Sequence, residues 1–490
     1  MRRFYTLVVI IALGASSSLS VAQNPSPPGG ARPQQQAQGV APSATPAVPG
    51  VSSVQAEAYR DEAARIIGAA LTDDTAYRRL SYLTDRIGHR ISGSTQLETA
   101  IRWAVDEMKR DGLERVRAEK VMVPRWVRGE ESLELIEPEQ RKLSMLGLGN
   151  STGTPPEGIT ADAVVVRNFD ELDRLGERVR GKIVVYNVPF TTYGATVRYR
   201  GAGASRAGKY GAVAALVRSV GPVSLQTPHT GAMGYADADQ RKIPTAALTI
   251  EGAEMLARMQ ARNERIRLRL KMDAKFLPDA ESANVVAELR GRERPEEVVL
   301  VSGHFDSWDV GQGAHDDGGG CIVSWEVARL LKSLNLRPRR TIRVVLYTNE
   351  ENGLRGGNGY RDAHRDEISK HVLAIESDSG VYRPEGFGLA ENASPDVRAT
   401  INEIATLLRH IGADRIAANG GGADIGPLMR EGVTGMSLDV DGAHYFDIHH
   451  TPADTMDKVD PKELALCVAT MTVMAYVVAD MPARLGQAGK

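Results

Sequence analysis

Aromatic residues are scarce in this 490-residue chain, at 5%. So few rings leave little for a surface that stacks bases, and a net charge of −2 offers nucleic acid no polycationic face. There are only two cysteines, Cys321 and Cys467. Both fall in apolar stretches of helical pattern, which reads as two buried thiols and not as a disulfide framework. Beyond the N-terminus no run reaches the ~18 uncharged apolar residues that a membrane span needs. No repeat of fixed period stands out. The glycines at 201, 203, 208 and 211 lack the strand-to-Gly-x-Gly-x-x-Gly order of a dinucleotide site. One Gly-x-Ser-x-Gly match, Gly149–Gly153, runs into Thr154-Pro155-Pro156 where a nucleophile elbow needs a helix, so a serine hydrolase is not indicated.

What is present begins with a leader. Arg2-Arg3, the apolar Tyr5–Leu13 and the small residues ending Ser20-Val21-Ala22 read as a secretory signal over residues 1–22, with export to the periplasm or the exterior. No cysteine follows the apolar core, which argues against a lipid anchor. Residues 23–52 are rich in Pro, Ala, Gln and Gly and read as a disordered tether. Helical periodicity appears at Val54–Leu71 and Ser94–Asp111; in the second, Leu97, Ile101, Ala104, Val105 and Met108 form one stripe and Gly112 follows as a stop.

From 131 to 273 the texture changes to short apolar runs such as Asp162–Val166, Lys182–Tyr186 and Val213–Val217 between Gly-rich turns. This block reads as an inserted β-rich domain that splits a second domain into 53–130 and 274–490. The fold class expected for that second domain is α/β, with a mixed, mostly parallel central sheet flanked by helices.

The stretch Glu296–Tyr360 organises it. Two β-rich runs, Val298–Val301 and Ile342–Tyr347, flank an amphipathic run at about Cys321–Leu336, a strand–helix–strand unit. The first strand runs into His304-Phe305-Asp306, the second into Asn349-Glu350-Glu351, and the loop between them carries His315-Asp316-Asp317. A further strand, His371–Ile375, ends in Glu376-Ser377-Asp378. The strand Gly435–Val440 precedes His444-Tyr445 and His449-His450-Thr451-Pro452-Ala453-Asp454-Thr455. In open α/β sheets ligands bind beyond the carboxyl ends of the strands, so these clusters meet at one rim. Imidazoles with carboxylates are a zinc ligand set. On an extended segment His304 and Asp306 share a face, so Asp306 is placed to accept from the free ring nitrogen of His304. Adjacent Glu350 and Glu351 repel each other unless a cation lies near or one is protonated; a metal ligand beside a general base explains the pair.

These motifs resemble the co-catalytic zinc aminopeptidases and carboxypeptidases of the leucyl aminopeptidase and glutamate carboxypeptidase type, and most of all the plasma glutamate carboxypeptidase branch. Gly303–Ser307, Gly313–Gly318, Asn349–Glu351, Glu376–Asp378, His449–Thr455 and Trp126–Gly129 carry the likeness, which spans about Ser53 to Met481. The resemblance implies a zinc peptidase fold with 131–273 as a protease-associated domain, and two Zn2+ per chain at the ~3–4 Å spacing of two-metal sites. It makes His304 and Asp378 ligands of one zinc, Glu351 and His450 of the other, and Asp316 the bridge. It makes Glu350 the general base and Asp306 the residue that orients His304; Tyr445 is the candidate oxyanion donor. It prefers Asp316 to Asp317, His450 to His449 and Asp378 to Glu376 by motif likeness alone. The implied substrates are dipeptides or short peptides with a free N-terminus, cut at the N-terminal bond; a carboxypeptidase is the alternative. The implied assembly is a homodimer. A single-zinc cyclase-like enzyme and a non-catalytic binding ectodomain are the rival readings, and the full ligand set argues against both.

Overall fold

The computed structural model of the chain describes residues 50–236 and 241–487. The expected leader and all but the last residues of the expected tether lie outside the described residues.

One eight-stranded sheet runs in the spatial order Glu114–Val127, Lys275–Leu289, Arg340–Tyr347, Arg294–His304, His371–Glu376, Gly435–Val440, Pro384–Leu389 and Arg415–Ala418. Its middle four strands are mutually parallel, so their carboxyl ends lie on one rim. The strands flanking them, Lys275–Leu289 and Pro384–Leu389, pair antiparallel. The sheet is therefore mixed with a parallel centre, as expected. The central strands read as continuous apolar runs because helices cover both faces. Val299, Val301, Ile342 and Val344 are buried on one face, and Val298, Leu300 and Val345 on the other.

Local chemistry sets the helices. Ser94 caps Thr95–Arg110, accepting from Leu97 N at 3.1 Å, and Leu97, Ile101, Ala104 and Met108 bury their stripe; Val105 lies at its edge, half-buried. Gly319–Ser333 crosses between the two central strands, and both cysteine thiols are free and buried. Pro461–Asp480, capped by Asp460, is long and apolar enough to cross a membrane by composition, yet it is buried in the core against Gly319–Ser333 and Arg60–Thr72.

Glu131–Met272 forms a second eight-stranded sheet, ordered Arg141–Leu143, Glu131–Glu137, Arg267–Met272, Ile159–Val166, Ile183–Tyr186, Ala214–Arg218, Thr245–Leu248 and Met145–Gly147. The sequence suggested a β-rich unit with Gly-rich turns, but three helices also flank this sheet: Phe169–Leu175, Tyr193–Lys209 and Ile250–Ala261. Gly201, Gly203 and Gly208 belong to the second helix and not to turns, while Gly211 stands in the turn that follows it. Gly203 lets that helix approach the sheet closely: a Cβ there would lie 2.9 Å from the Tyr186 ring. Ser151 of the Gly-x-Ser-x-Gly match is fully buried, its hydroxyl donating to Thr152 O and accepting from Thr245 N, so it is no nucleophile.

The two sheets are pinned where the chain crosses between them. Arg128 makes a two-pronged ion pair with Asp309, at 2.8 and 2.6 Å, and also donates to Gly147 O. Thr230 N, from the second sheet's connecting loop, donates to His450 O at 2.9 Å.

Candidate metal centre

Four parallel strand ends deliver the site. His304 closes the strand Arg294–His304 and is buried. Its Nε2 lies 3.2 Å from Asp316 Oδ1 and 3.3 Å from Asp378 Oδ1. On the far side of the cluster His450 Nε2 lies 3.2 Å from Asp316 Oδ2 and 3.1 Å from Glu351 Oε2. The five residues expected to hold metal are thus brought together, with Asp316 in the middle.

The neighbours that sequence spacing left open separate in space. Asp317 turns away from the cluster and accepts from His304 N at 2.9 Å and Gly320 N at 3.0 Å, tying strand to helix. Glu376 accepts from Ile425 N at 2.8 Å beneath the rim, while Asp378 reaches His304. His449 stacks on His450 with ring centroids 3.6 Å apart, and its Nε2 lies 3.6 Å from Asp316 Oδ2. It therefore forms a ligand-capable group with Asp316 and His450, just as His304, Asp316 and Asp378 do; only His450 also reaches Glu351.

One expectation needs correction. The Asp306 carboxylate does not orient His304, whose Nδ1 donates instead to the Asp306 main-chain carbonyl at 3.0 Å, with the nearest Asp306 carboxylate oxygen at 4.0 Å. That carboxylate is already engaged, accepting from Glu350 N at 3.0 Å, Glu351 N at 3.3 Å and Ser92 Oγ at 3.2 Å. Asp306 thus holds the ring by its carbonyl and the Glu350-Glu351 turn by its side chain.

Asp454, quoted in the sequence motif without a role, accepts from His315 N at 2.8 Å and Asp316 N at 3.1 Å and so sets the backbone that aims Asp316.

The electrostatics fit divalent cations. Burial alone would depress His304 and His450, but Asp378 and Asp316 hold the first well above its ordinary value, and Glu351 and Asp316 hold the second up to about 10. Burial and Asp316 push Glu351 up to about 7, and its Oε1 is buried without a hydrogen-bond partner. Asp316 is held well below the usual carboxylate range: burial would raise it, but the two histidines outweigh burial. Packed carboxylates that draw protons onto neighbouring imidazoles are a donor set that metal cations satisfy in place of those protons. Glu350 lines the cleft beside them. Burial lifts its carboxyl well above the ordinary range, and Asp378, Glu351 and Asp306 add to this against the pull of His304.

The cluster floors a cleft of about 660 Å³. Leu354, Arg415, Asp439, Tyr445 and Phe446 wall one part of it, and Tyr193, Arg200 and Ala232 of the second sheet's unit wall another. Burial and the nearby Asp316 and Asp378 keep the Tyr445 phenol well above its usual value, hence protonated. Arg200 and Tyr193 escaped sequence analysis because no motif marks them.

Comparison with known proteins agrees with this geometry. A model of the peptidase family M28 matches residues 284–475. The chain is 49% identical to carboxypeptidase Q of Mus musculus over 426 residues, covering 86% of this chain and 90% of that protein. Among solved structures it is similar to a peptidase M28 precursor from Shewanella amazonensis, at a TM-score of 0.84 and 33% identity, covering 89% of this chain and all of the other. It also shares its fold with a zinc aminopeptidase from Bacillus subtilis, at a TM-score of 0.64 and 22% identity, covering 83% of this chain and 95% of the other.

Proposed function

This chain belongs to peptidase family M28, and on that premise we propose that it is a zinc-dependent exopeptidase that hydrolyses dipeptides, or the first bond of short peptides with a free N-terminus. Asp316 carries the proposal: its two oxygens reach histidines of two ligand groups, each at 3.2 Å. In this reading His304 and Asp378 would hold one zinc, Glu351 and His450 would hold a second, and Asp316 would be shared between them. Bound there, the pair supplies a water of lowered pKa and polarises the scissile carbonyl.

The remaining work falls to side chains. Glu350 takes the proton of the attacking water as the C–O bond forms and hands it to the amide nitrogen as the C–N bond breaks. Burial raises its carboxyl above the ordinary carboxylate range, the direction that makes it a stronger base. Tyr445, kept protonated, donates to the developing oxyanion. Asp306 keeps the Glu350 backbone and the His304 ring in register.

The carboxypeptidase name of the similar mouse protein favours the opposite polarity as a second reading. In a dipeptide the first bond is also the last, so dipeptides satisfy both. The unit 131–273 is proposed as a protease-associated domain and residues 1–22 as an export signal; both rest on sequence.

The test is zinc content together with hydrolysis of a dipeptide panel and its N-blocked counterparts, before and after chelation. Two zinc ions per chain, with activity lost on chelation and on N-blocking, is the expected result. Cleavage of N-blocked peptides would favour the carboxypeptidase polarity. One zinc would favour cyclase-like chemistry. No metal and no turnover would refute the enzyme reading.

A further inference from the structure

We propose that Asp439 binds the free α-ammonium group of the substrate, so that the strand beside Asp378 supplies the residue that selects peptides with an unblocked N-terminus. This deepens the exopeptidase reading above and rests on it.

Five carboxylates border the cleft: Asp316, Glu350, Glu351, Asp378 and Asp439. Three belong to the proposed metal set and Glu350 is the proposed base, which leaves Asp439 without a part in the reaction. Its side chain is 23% exposed, so a ligand in the cleft can touch it. An α-amino group has a pKa of ~8 and is largely protonated at neutral pH. Carboxylates that hold metal cations have little charge left for an ammonium, and the metals repel it. A substrate cation therefore needs a carboxylate that stands beside the metal set and outside it.

Strand register puts Asp439 in that position. Gly435–Val440 runs parallel to His371–Glu376, with Ala374 opposite Gly435 and Glu376 opposite Ser437. Carried two residues further, the same register sets Asp378 beside Asp439 on one face of the rim, and neighbouring strands lie ~4.8 Å apart. In a peptide the α-nitrogen lies ~2.5 Å from the carbonyl carbon of its own residue, across bonds of ~1.46 and ~1.52 Å. An amine so close to the scissile carbonyl stays within reach of the strand next to Asp378, whereas the end of a long basic side chain would extend past it.

The hydrogen bonds leave one oxygen for a ligand. Ser437 Oγ donates to Asp439 Oδ1 at 2.9 Å. Among the described residues Asp439 Oδ2 accepts no hydrogen bond. Its cationic neighbour, Arg415 Nη2, is 3.7 Å away, beyond hydrogen-bond range, and lies closer to Glu385, at 2.6 Å. Gly388 leaves room for the pair on the adjoining strand: a Cβ there would crowd Ser437 Oγ and lie 3.1 Å from Asp439 Oδ1. Ser437 thus orients the carboxylate and leaves a charged acceptor, the partner an ammonium takes in a charge-assisted hydrogen bond.

The alternative is that Asp439 only anchors Arg415 and with it the edge strand Arg415–Ala418. An anchor would affect all substrates alike, and Arg415→Met would reproduce its loss. The experiment is therefore a ratio: kcat/KM for alanyl-alanine over kcat/KM for propanoyl-alanine, which carries hydrogen in place of the amino group. It is read in the zinc-loaded full chain for the wild type, Asp439→Asn, Asp439→Glu and Arg415→Met. Losing a charge-assisted hydrogen bond should cut the wild-type preference for the free amine by about 10- to 100-fold in Asp439→Asn. The fall should lie mainly in KM, with zinc content unchanged. Asp439→Glu should retain part of the preference, since the charge remains, and Arg415→Met should keep it in full. If the asparagine variant does not fold, Asp439→Ser takes its place with the same expected loss. A wild-type preference that survives without the carboxylate, or that falls as far in Arg415→Met, overturns the proposal alone. No preference in the wild type removes the free N-terminus from the substrate reading and the proposal with it. If the wild type cleaves neither compound, the exopeptidase reading has failed instead. Calorimetric binding of both compounds to wild type and Asp439→Asn then decides the role of Asp439: amine-selective binding lost in the variant supports it, and unselective binding refutes it.

Discussion

Glu350→Gln separates catalysis from metal binding at a single side chain. The Glu350 and Glu351 main-chain nitrogens are held by Asp306 at 3.0 and 3.3 Å, so the turn keeps its shape whatever side chain stands at 350. The amide is isosteric with the carboxyl but accepts no proton. Loss of a positioned general base costs about 10²- to 10⁴-fold in kcat, or ~3–5 kcal/mol of barrier. KM should hardly move and zinc content should equal that of the wild type, because the proposed ligand atoms lie on Glu351 and its partners. A second signature follows from electrostatics. Burial, Asp378, Glu351 and Asp306 destabilise an ionised Glu350, so after chelation at pH 7 the variant should melt above the chelated wild type. Steady-state kinetics on a dipeptide, metal analysis and thermal melts read all three. A loss of activity under about tenfold, or zinc lost in step with activity, would refute the assignment of Glu350 as base.

Other outcomes follow from the same contacts. Glu351→Gln should lower zinc content as well as activity; unchanged zinc would remove Glu351 from the ligand set. Arg128→Met strands the largely buried Asp309 carboxylate and should cost ~3–5 kcal/mol in urea unfolding, while the double variant with Asp309→Asn should cost less than the sum of the single changes; strict additivity would show that the pair does not couple. Burial, with Arg343 and His364 adding, holds His371 down to about 4 against the pull of Glu367. The unfolded chain takes up that proton near pH 6.5 and the folded chain does not, so stability falls as pH drops from about 6.5 towards 4, by ~2 kcal/mol at pH 5. His371→Gln should flatten that part of the pH profile of the urea midpoint, and an unchanged slope would refute the attribution.

The sequence by itself determined the parallel sheet and the clusters of imidazoles and carboxylates that meet at its rim. The reason is local: His304, the Glu350-Glu351 pair and Asp378 stand at or within a few residues of the end of an apolar β-run, and parallel strands put those ends on one rim. Position alone placed these clusters at the rim; the choice of Glu351 over Glu350 and of Asp378 over Glu376 as metal ligands came from the family likeness. The Ser94 cap and the stripe of Thr95–Arg110 were legible for the same reason. Tertiary structure decided what spacing cannot encode. Asp316 and Asp317 are chemically alike, and only the packing of strand against helix turns one to the histidines and the other to the backbone of His304 and Gly320. The Asp306 carboxylate was expected at His304 because the two share a face of an extended segment, but donors arriving from the neighbouring strand end claimed it first. The glycines near 200 looked like turns because their packing partner, the Tyr186 ring, is remote in sequence. Arg200 lies 250 residues before His450 and reaches it only because one sheet packs over the rim of the other, a contact that depends on how two surfaces fit and leaves no period or motif in the chain.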